Sequence, residues 1–261
     1  MFDSYRSIFA RRGQSYDLAM RLCPAARATE FRHLIEALDP SPGQRILDLP
    51  AGGGYLRHWL PAEICYVGQD ASHTFARASS FQGVPEAVCA SSASLPFRDH
   101  SFDRIASLAG LHHELDLDAV LNECFRVLRP GGYLAIGEVE AGTRTANFLN
   151  GFVDLYNPEG HKGLFLDHTT SERIRVAGFV IESDTCRRCD WHFPSQVTMT
   201  VFLRYLFGLQ CSDAVLLDAL VQSPGLESAK SHVALRWELR YLRLSKPASL
   251  IAHQGCAKTT P

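Results

Sequence analysis

Short apolar runs alternate with segments whose apolar residues return every three or four positions, and this alternation predicts the elements. Over 1–44 the period is helical: Leu18, Met20 and Leu22, then Phe31, Leu34, Ile35 and Leu38, closed by Pro40-Ser41-Pro42-Gly43. Strands are expected at 45–48, 64–69, 86–90, 102–108 and 133–139. Between them lie a helix over 53–60 stopped by Pro61, one capped by Ser72 and reaching Phe81, and one over 117–128 capped by Asp116. In the last of these Val120, Leu121, Cys124, Val127 and Leu128 form a single stripe. Arg129-Pro130-Gly131-Gly132 is expected to be a sharp turn. Short apolar strands with helices between them predict an α/β fold whose parallel sheet is covered on both faces.

The regularity then breaks twice. Residues 141–167 show no period and contain Asn157-Pro158-Glu159-Gly160, so a loop with a short helix is expected. A helix follows over 170–177 and a strand over 179–186. In 194–228 two helical runs are expected: 197–209, apolar almost all round, and 214–221 behind the cap Ser212. A last strand is expected over 233–244, with Trp237, Leu239 and Tyr241 on one face and Arg236, Glu238 and Arg240 on the other. The organisation is thus a helical N-terminal cap (1–44), a core (45–192 and 229–246), two insertions (141–167 and 193–228) and a poorly ordered tail (247–261).

Composition narrows the function classes. The 261 residues are 46% hydrophobic and 21% charged, ordinary for a soluble globular enzyme. A net charge of -2 with no basic run disfavours a nucleic-acid partner or an anionic membrane surface. No stretch approaches the ~18 apolar residues of a membrane span. The first residues lack a signal core, which with eight scattered cysteines predicts a cytoplasmic protein with reduced thiols.

The chemistry concentrates at Asp48-Leu49-Pro50-Ala51-Gly52-Gly53-Gly54, directly after the apolar Ile46-Leu47. A strand ending in an acid, a glycine loop and a short helical stretch hold a nucleoside-bearing cofactor, because glycines permit positive φ and close backbone approach. A dinucleotide fingerprint fails, since Arg57 stands where the third glycine is required. Asp70 ends the second strand about twenty residues on, where a carboxylate can accept both ribose hydroxyls.

The order Asp-x-small-x-Gly-x-Gly resembles the first motif of class I S-adenosylmethionine-dependent methyltransferases. Leu95-Pro96-Phe97, Ser101-Phe102-Asp103, Leu111-His112-His113 and 126–132 continue the signature of the branch that includes ubiquinone and menaquinone methyltransferases. The resemblance covers roughly 16–140. It implies a Rossmann-like, mostly parallel seven-stranded sheet with an antiparallel last strand, S-adenosyl-L-methionine as cofactor and S-adenosyl-L-homocysteine as product. It places Asp48, Gly52 and Gly54 at the methionine portion, Asp70 at the ribose, and Ser91, Ser92 and Leu95 at the adenine, with Pro50, Ala51 and Ala71 among the cofactor-binding residues. Leu108 and Ala109 would line the methionyl side, and Tyr16, with Asp17, a leading helix folded over the cofactor. Two positions depart from the family pattern: Pro50 replaces a glycine, and Ser91 an acid for the adenine amino group.

Methyl transfer from a sulfonium is an in-line displacement in which the protein mainly aligns the partners and excludes water. His112 and His113, after the fourth strand, are candidates for a base or for packing around the cofactor loop. His161 and His168, in and beside the first insertion, are further candidate bases, with Tyr156 and Phe165 as aromatic walls. The helical run at 197–209 is a buried cap, a homodimer contact or a lid over an apolar acceptor. No metal site is expected: Cys186, Cys189 and His192 alternate faces on a strand and lack a fourth ligand. The leading expectation is methyl transfer to the oxygen or carbon of a small apolar acceptor, aromatic or polyketide-like. The alternatives are a decarboxylation or cyclisation that uses the bound sulfonium, and a non-catalytic methyltransferase-like subunit, which Pro50 and Ser91 favour.

Overall fold

A computed structural model describes residues 5–81, 86–229 and 232–248. Two helices, α1 (Tyr5–Leu22) and α2 (Ala28–Leu38), precede the sheet, and α2 ends where Asp39 turns left-handed. Strands β1 (Arg45–Asp48), β2 (Cys65–Asp70), β3 (Glu86–Cys89), β4 (Phe102–Leu108) and β5 (Leu128–Glu138) follow. They alternate with a 3₁₀ turn (Tyr55–Trp59), α3 (His73–Phe81), a second 3₁₀ turn (Leu111–His113) and α4 (Leu117–Val127). Asp116 caps α4 by accepting from the Ala119 N–H, as its position predicts.

The strands form a seven-stranded sheet in the order β3-β2-β1-β4-β5-β10-β6, parallel except where β10 (Glu238–Ser245) runs antiparallel between β5 and β6 (Val180–Arg188). The order reverses between β1 and β4, and ligands of such sheets bind at the carboxyl ends of the strands flanking that point. Asp48, Asp70, Leu108 and Glu138 stand at those ends. Neighbouring residues enter opposite core clusters, Ile46 and Ala106 one, Leu47 and Ile105 the other, so both faces are covered.

Three elements differ from the sequence pattern. Arg129-Pro130-Gly131-Gly132 is a bulge inside β5: pairing jumps from Phe102–Leu128 to Arg104–Tyr133, with Gly131 at φ 78°. Residues 144–156 are helical throughout, as α5 (Arg144–Asn147), a π-helical stretch (Phe148–Val153) and α6 (Asp154–Tyr156), and α7 (Thr170–Val176) follows. The last strand is two. Residues His232–Leu235 form β9, which pairs with β7 (Trp191–Phe193) and β8 (Leu226–Ala229) in a small antiparallel sheet. The chain breaks there because Trp237 is buried against the Trp191, Phe207 and Phe148 rings, which takes it out of the ladder. The supposed polar face of β10 is covered too: Arg240 is buried on Asp184 and Ser171.

In the second insertion α8 (Gln196–Phe207) and α9 (Asp213–Gln222) start at the caps Ser195 and Ser212. The Arg12 and Ser15 side chains of α1 donate to the Leu206 and Tyr205 carbonyls, joining α8 to α1. Of the tail 247–261, residues 249–261 lie outside those described.

Candidate active site

Beyond β1 the chain crosses the cis Leu49–Pro50 peptide, and Gly52 and Gly54 take φ of 55° and 81°, a conformation that strains any residue with a Cβ. That turn aims the Gly52 N–H at Asp70 Oδ2, 2.9 Å away, which also accepts from the Tyr5 hydroxyl at 2.7 Å. The Ser72 N–H donates to Asp70 Oδ1 at 2.7 Å, and the Tyr66 hydroxyl to Asp48 Oδ2 at 2.5 Å. Neither aspartate has an ion-pair partner among the described residues.

Behind β4, Ala109 sits at φ 48° and Gly110 touches Pro50. A Cβ on Gly110 would lie 2.3 Å from Pro50 Cγ. Gly110→Ala is therefore expected to push the two loops apart. Its signature is a loss of ligand affinity larger than the drop in melting temperature, read by calorimetry and thermal denaturation.

The loops border a cavity of about 100 Å³. Its walls come from α1 (Tyr5, Phe9, Arg12, Tyr16), the glycine loop (Asp48, Pro50, Ala51, Gly52), the end of β4 (Leu108, Ala109, Gly110) and aromatic Phe31, Trp191, Phe207 and Trp237. His112, His113 and His161 close one side, all three buried. The π-helical stretch brings Asn150 under His161, so that Asn150 Oδ1 meets His161 Nδ1 at 3.0 Å. His112 Nδ1 lies 2.8 Å from Glu138 Oε1. A carboxylate can only accept there, so the hydrogen sits on Nδ1 and Nε2 is left bare. Burial, followed by the neighbouring histidines and Arg12, pushes the His113 pKa well below the usual range. The same causes push His161 down to about 3. Both are neutral near pH 7.

Residues 47–136 match the family model described as a methyltransferase domain. A demethylmenaquinone methyltransferase of Corynebacterium urealyticum is 36% identical over 134 residues, 51% of this chain and 58% of that protein. The matched stretch, from β1 into β5, is thus similar to a methyltransferase domain. The chain thus spans little more than half the length of that curated relative. Among solved structures, a methyltransferase described as putative from Bacillus halodurans superposes with a TM-score of 0.62 at 17% identity, over 84% of this chain and 99% of that one. The [4+2]-cyclase SpnF superposes with a TM-score of 0.55 at 19% identity, over 94% and 97%. At such identities these two establish the shared fold alone.

Between the sheet and its caps, one cavity gathers Tyr16, Asp48, Pro50, Ala51, Gly52, Leu108, Ala109, His112, His113 and His161. Asp70 lies outside that lining, with the hydroxyl of the lining residue Tyr5 donating to it. Gly54, Ala71, Ser91, Ser92 and Leu95 lie outside its lining. Of these, Ala71 packs on the Tyr5, Ile8, Phe9 and Phe75 cluster, and Ser92 Oγ donates to Gln69. Cys186, Cys189 and His192 do not converge: Cys186 and His192 are exposed on separate sheets and Cys189 is buried. Helix α8 is a cap that also lines the pocket, through Leu206 and Phe207. No helix among the described residues is long and apolar enough to cross a membrane.

Sequence reasoning missed Tyr5, Arg12, Arg27, Glu138 and Asn150. Glu138 carried a readable signal, since it ends a parallel strand as Asp48 and Asp70 do. Tyr5 and Arg12 carried none, since their partners Asp70 and Leu206 lie 65 and 194 positions away, and Arg27 and Asn150 reach Tyr16 and His161 only across the intervening turns.

Burial pushes the Asp48 carboxyl up to about 7, with the Asp70 charge adding to the rise against the Tyr66 hydrogen bond. Burial likewise raises Asp70 to about 7, against its hydrogen bonds from Tyr5, Ser72 and Gly52. Between pH of about 4 and 7 the folded chain therefore holds protons that the unfolded chain has released. The stability these groups contribute is complete below that window and is lost as pH rises through 7. Asp48→Asn is expected to gain on the wild type in melting temperature from pH 5 to pH 8. A pH-independent difference would refute the assignment.

Proposed function

We propose that this chain transfers a methyl group from S-adenosylmethionine to an oxygen or carbon of a small apolar acceptor with an aromatic or polyketide-like skeleton. One observation carries the reading: Asp48, Gly52 and the three histidines line a single cavity that is otherwise rich in aromatic residues. The residues suit the cofactor. Among the described residues two buried carboxyls lack a cationic partner, and a left-handed glycine lets the backbone approach. Asp48 would take the methionyl ammonium, Asp70 the ribose hydroxyls, and Ser91, Ser92 and Leu95 the adenine.

The sulfonium supplies an already activated methyl group, so alignment and water exclusion are what the protein must add. His112, oriented by Glu138, lines the cavity beside His113 and His161, where the three rings can position the acceptor. Binding sites for ligands of this size run to about 300–1,000 Å³, so the cavity has to widen to admit the cofactor.

The test is methyl-labelled S-adenosylmethionine offered with phenols, polyketides and quinols. The relative's name, demethylmenaquinone methyltransferase, makes a quinol ring the first to try. Label in the organic phase matched by S-adenosylhomocysteine supports the reading. Product without S-adenosylhomocysteine would instead indicate a cyclisation or decarboxylation. Absence of cofactor binding at millimolar concentration would indicate a non-catalytic subunit.

A further inference from the structure

We propose that His112, His113 and His161 form a binding site for one divalent transition-metal ion of the imidazole-preferring kind, zinc(II) being the type, with an open coordination position facing the cavity. The sequence pattern led to no expectation of a metal, the candidate set weighed there being Cys186, Cys189 and His192. The fold brings one ligand atom from each ring within 4.8 Å of the others.

Ring spacing supports the assignment. An imidazole bound at about 2.1 Å puts its ring centre roughly 3.2 Å from the ion, and tetrahedral ligands then have ring centres about 5.2 Å apart. The observed separations are 5.4 Å for His112–His161, 5.2 Å for His113–His161 and 4.1 Å for His112–His113. Two pairs already match, and the His112 and His113 rings have to part by about 1 Å to bind one ion.

The surroundings are those of ligands rather than of solvated bases. Metal-bound histidines usually donate their second nitrogen to a carboxylate or carbonyl, which fixes the tautomer. His112 has Glu138, itself held by the Val139 and His112 N–H groups. His161 has Asn150, which is locked by a pair of hydrogen bonds with Gly163. Both assign the hydrogen to Nδ1 and leave Nε2 free. The His113 ring makes no hydrogen bond among the described residues and packs against Tyr5 and Phe9.

Metal binding requires the neutral imidazole, the form in which burial keeps His113 and His161. Glu138 supplies a negative charge beneath the site, opposing the Arg12 guanidinium held by the Leu206 carbonyl. Three protein ligands with a fourth position open make a catalytic-type centre, suited to an oxygen of a substrate or water. Pro50, Ala51 and Gly52 line the same cavity.

The test uses the full chain, stripped with a chelator and then titrated with zinc(II) by calorimetry and with cobalt(II) by visible absorption. Neither cofactor nor acceptor is present, so failure here leaves the methyl-transfer reading untouched. Expected are one equivalent bound at micromolar affinity or tighter and tetrahedral cobalt bands without thiolate charge transfer. His161→Ala should weaken binding at least a hundredfold, whereas His192→Ala, on the exposed edge of β7, should leave it unchanged. Glu138→Gln keeps an acceptor but removes the charge, and is expected to cost about tenfold. It decides the matter if His161→Ala fails to fold by circular dichroism. No binding below 100 µM to folded wild-type protein, cobalt bands of thiolate type, or binding indifferent to both variants would overturn the proposal.

Discussion

Asp70→Ala is expected to weaken S-adenosylmethionine binding by about a hundredfold or more. A hydrogen bond to an ionised group contributes about 1.5–3 kcal/mol, and the ribose would offer two. At about 1.4 kcal/mol per decade, losing both exceeds two orders of magnitude. The Tyr5 hydroxyl stands on the same carboxylate oxygen at 2.7 Å, so an incoming nucleoside has to displace it. Tyr5→Phe is therefore expected to move affinity the other way, tightening binding up to about tenfold. Calorimetry with S-adenosylhomocysteine reads both variants. Loosening by Tyr5→Phe together with indifference to Asp70→Ala would remove the carboxylate from the ribose.

The second large effect concerns stability. Arg27 and Glu30 are 5% and 0% exposed and paired through two nitrogens at 2.7 and 2.6 Å. The Trp191 indole N–H donates to the other Glu30 oxygen at 2.6 Å, and Arg27 reaches the Tyr16 hydroxyl at 2.6 Å. The network ties α2 to the small sheet and to the cavity wall. Removing one partner leaves the other charge buried and uncompensated, so Glu30→Ala is expected to cost about 3–5 kcal/mol. Removing both charges avoids that penalty, and Arg27→Met with Glu30→Leu should cost less than Glu30→Ala alone. Urea denaturation decides: equal or greater loss in the double variant would mean that packing, not the lone charge, sets the cost.

Local pattern made much of the fold readable. Strands β1 to β4 and helices α2, α4, α8 and α9 fall close to their expected places because period and cap are properties of consecutive residues. The bulge in β5 and the split of the last strand were not readable locally. Each depends on a neighbour that the segment cannot name: the register of β4 for Gly131-Gly132, and the Trp191 and Phe207 rings for Trp237.

For the site the division is sharper. The sequence alone determined the acid and glycines at the end of β1, the second acid at the end of β2 and the paired histidines after β4, because each belongs to one short stretch with its own turn chemistry. Only the tertiary structure decided that His161 joins that pair, that Tyr5 occupies Asp70 across 65 residues, and that Trp191 seals Glu30 across 161. Such meetings depend on how helices and insertions pack over the sheet. That packing is set by the burial of many side chains at once, and no single segment encodes it.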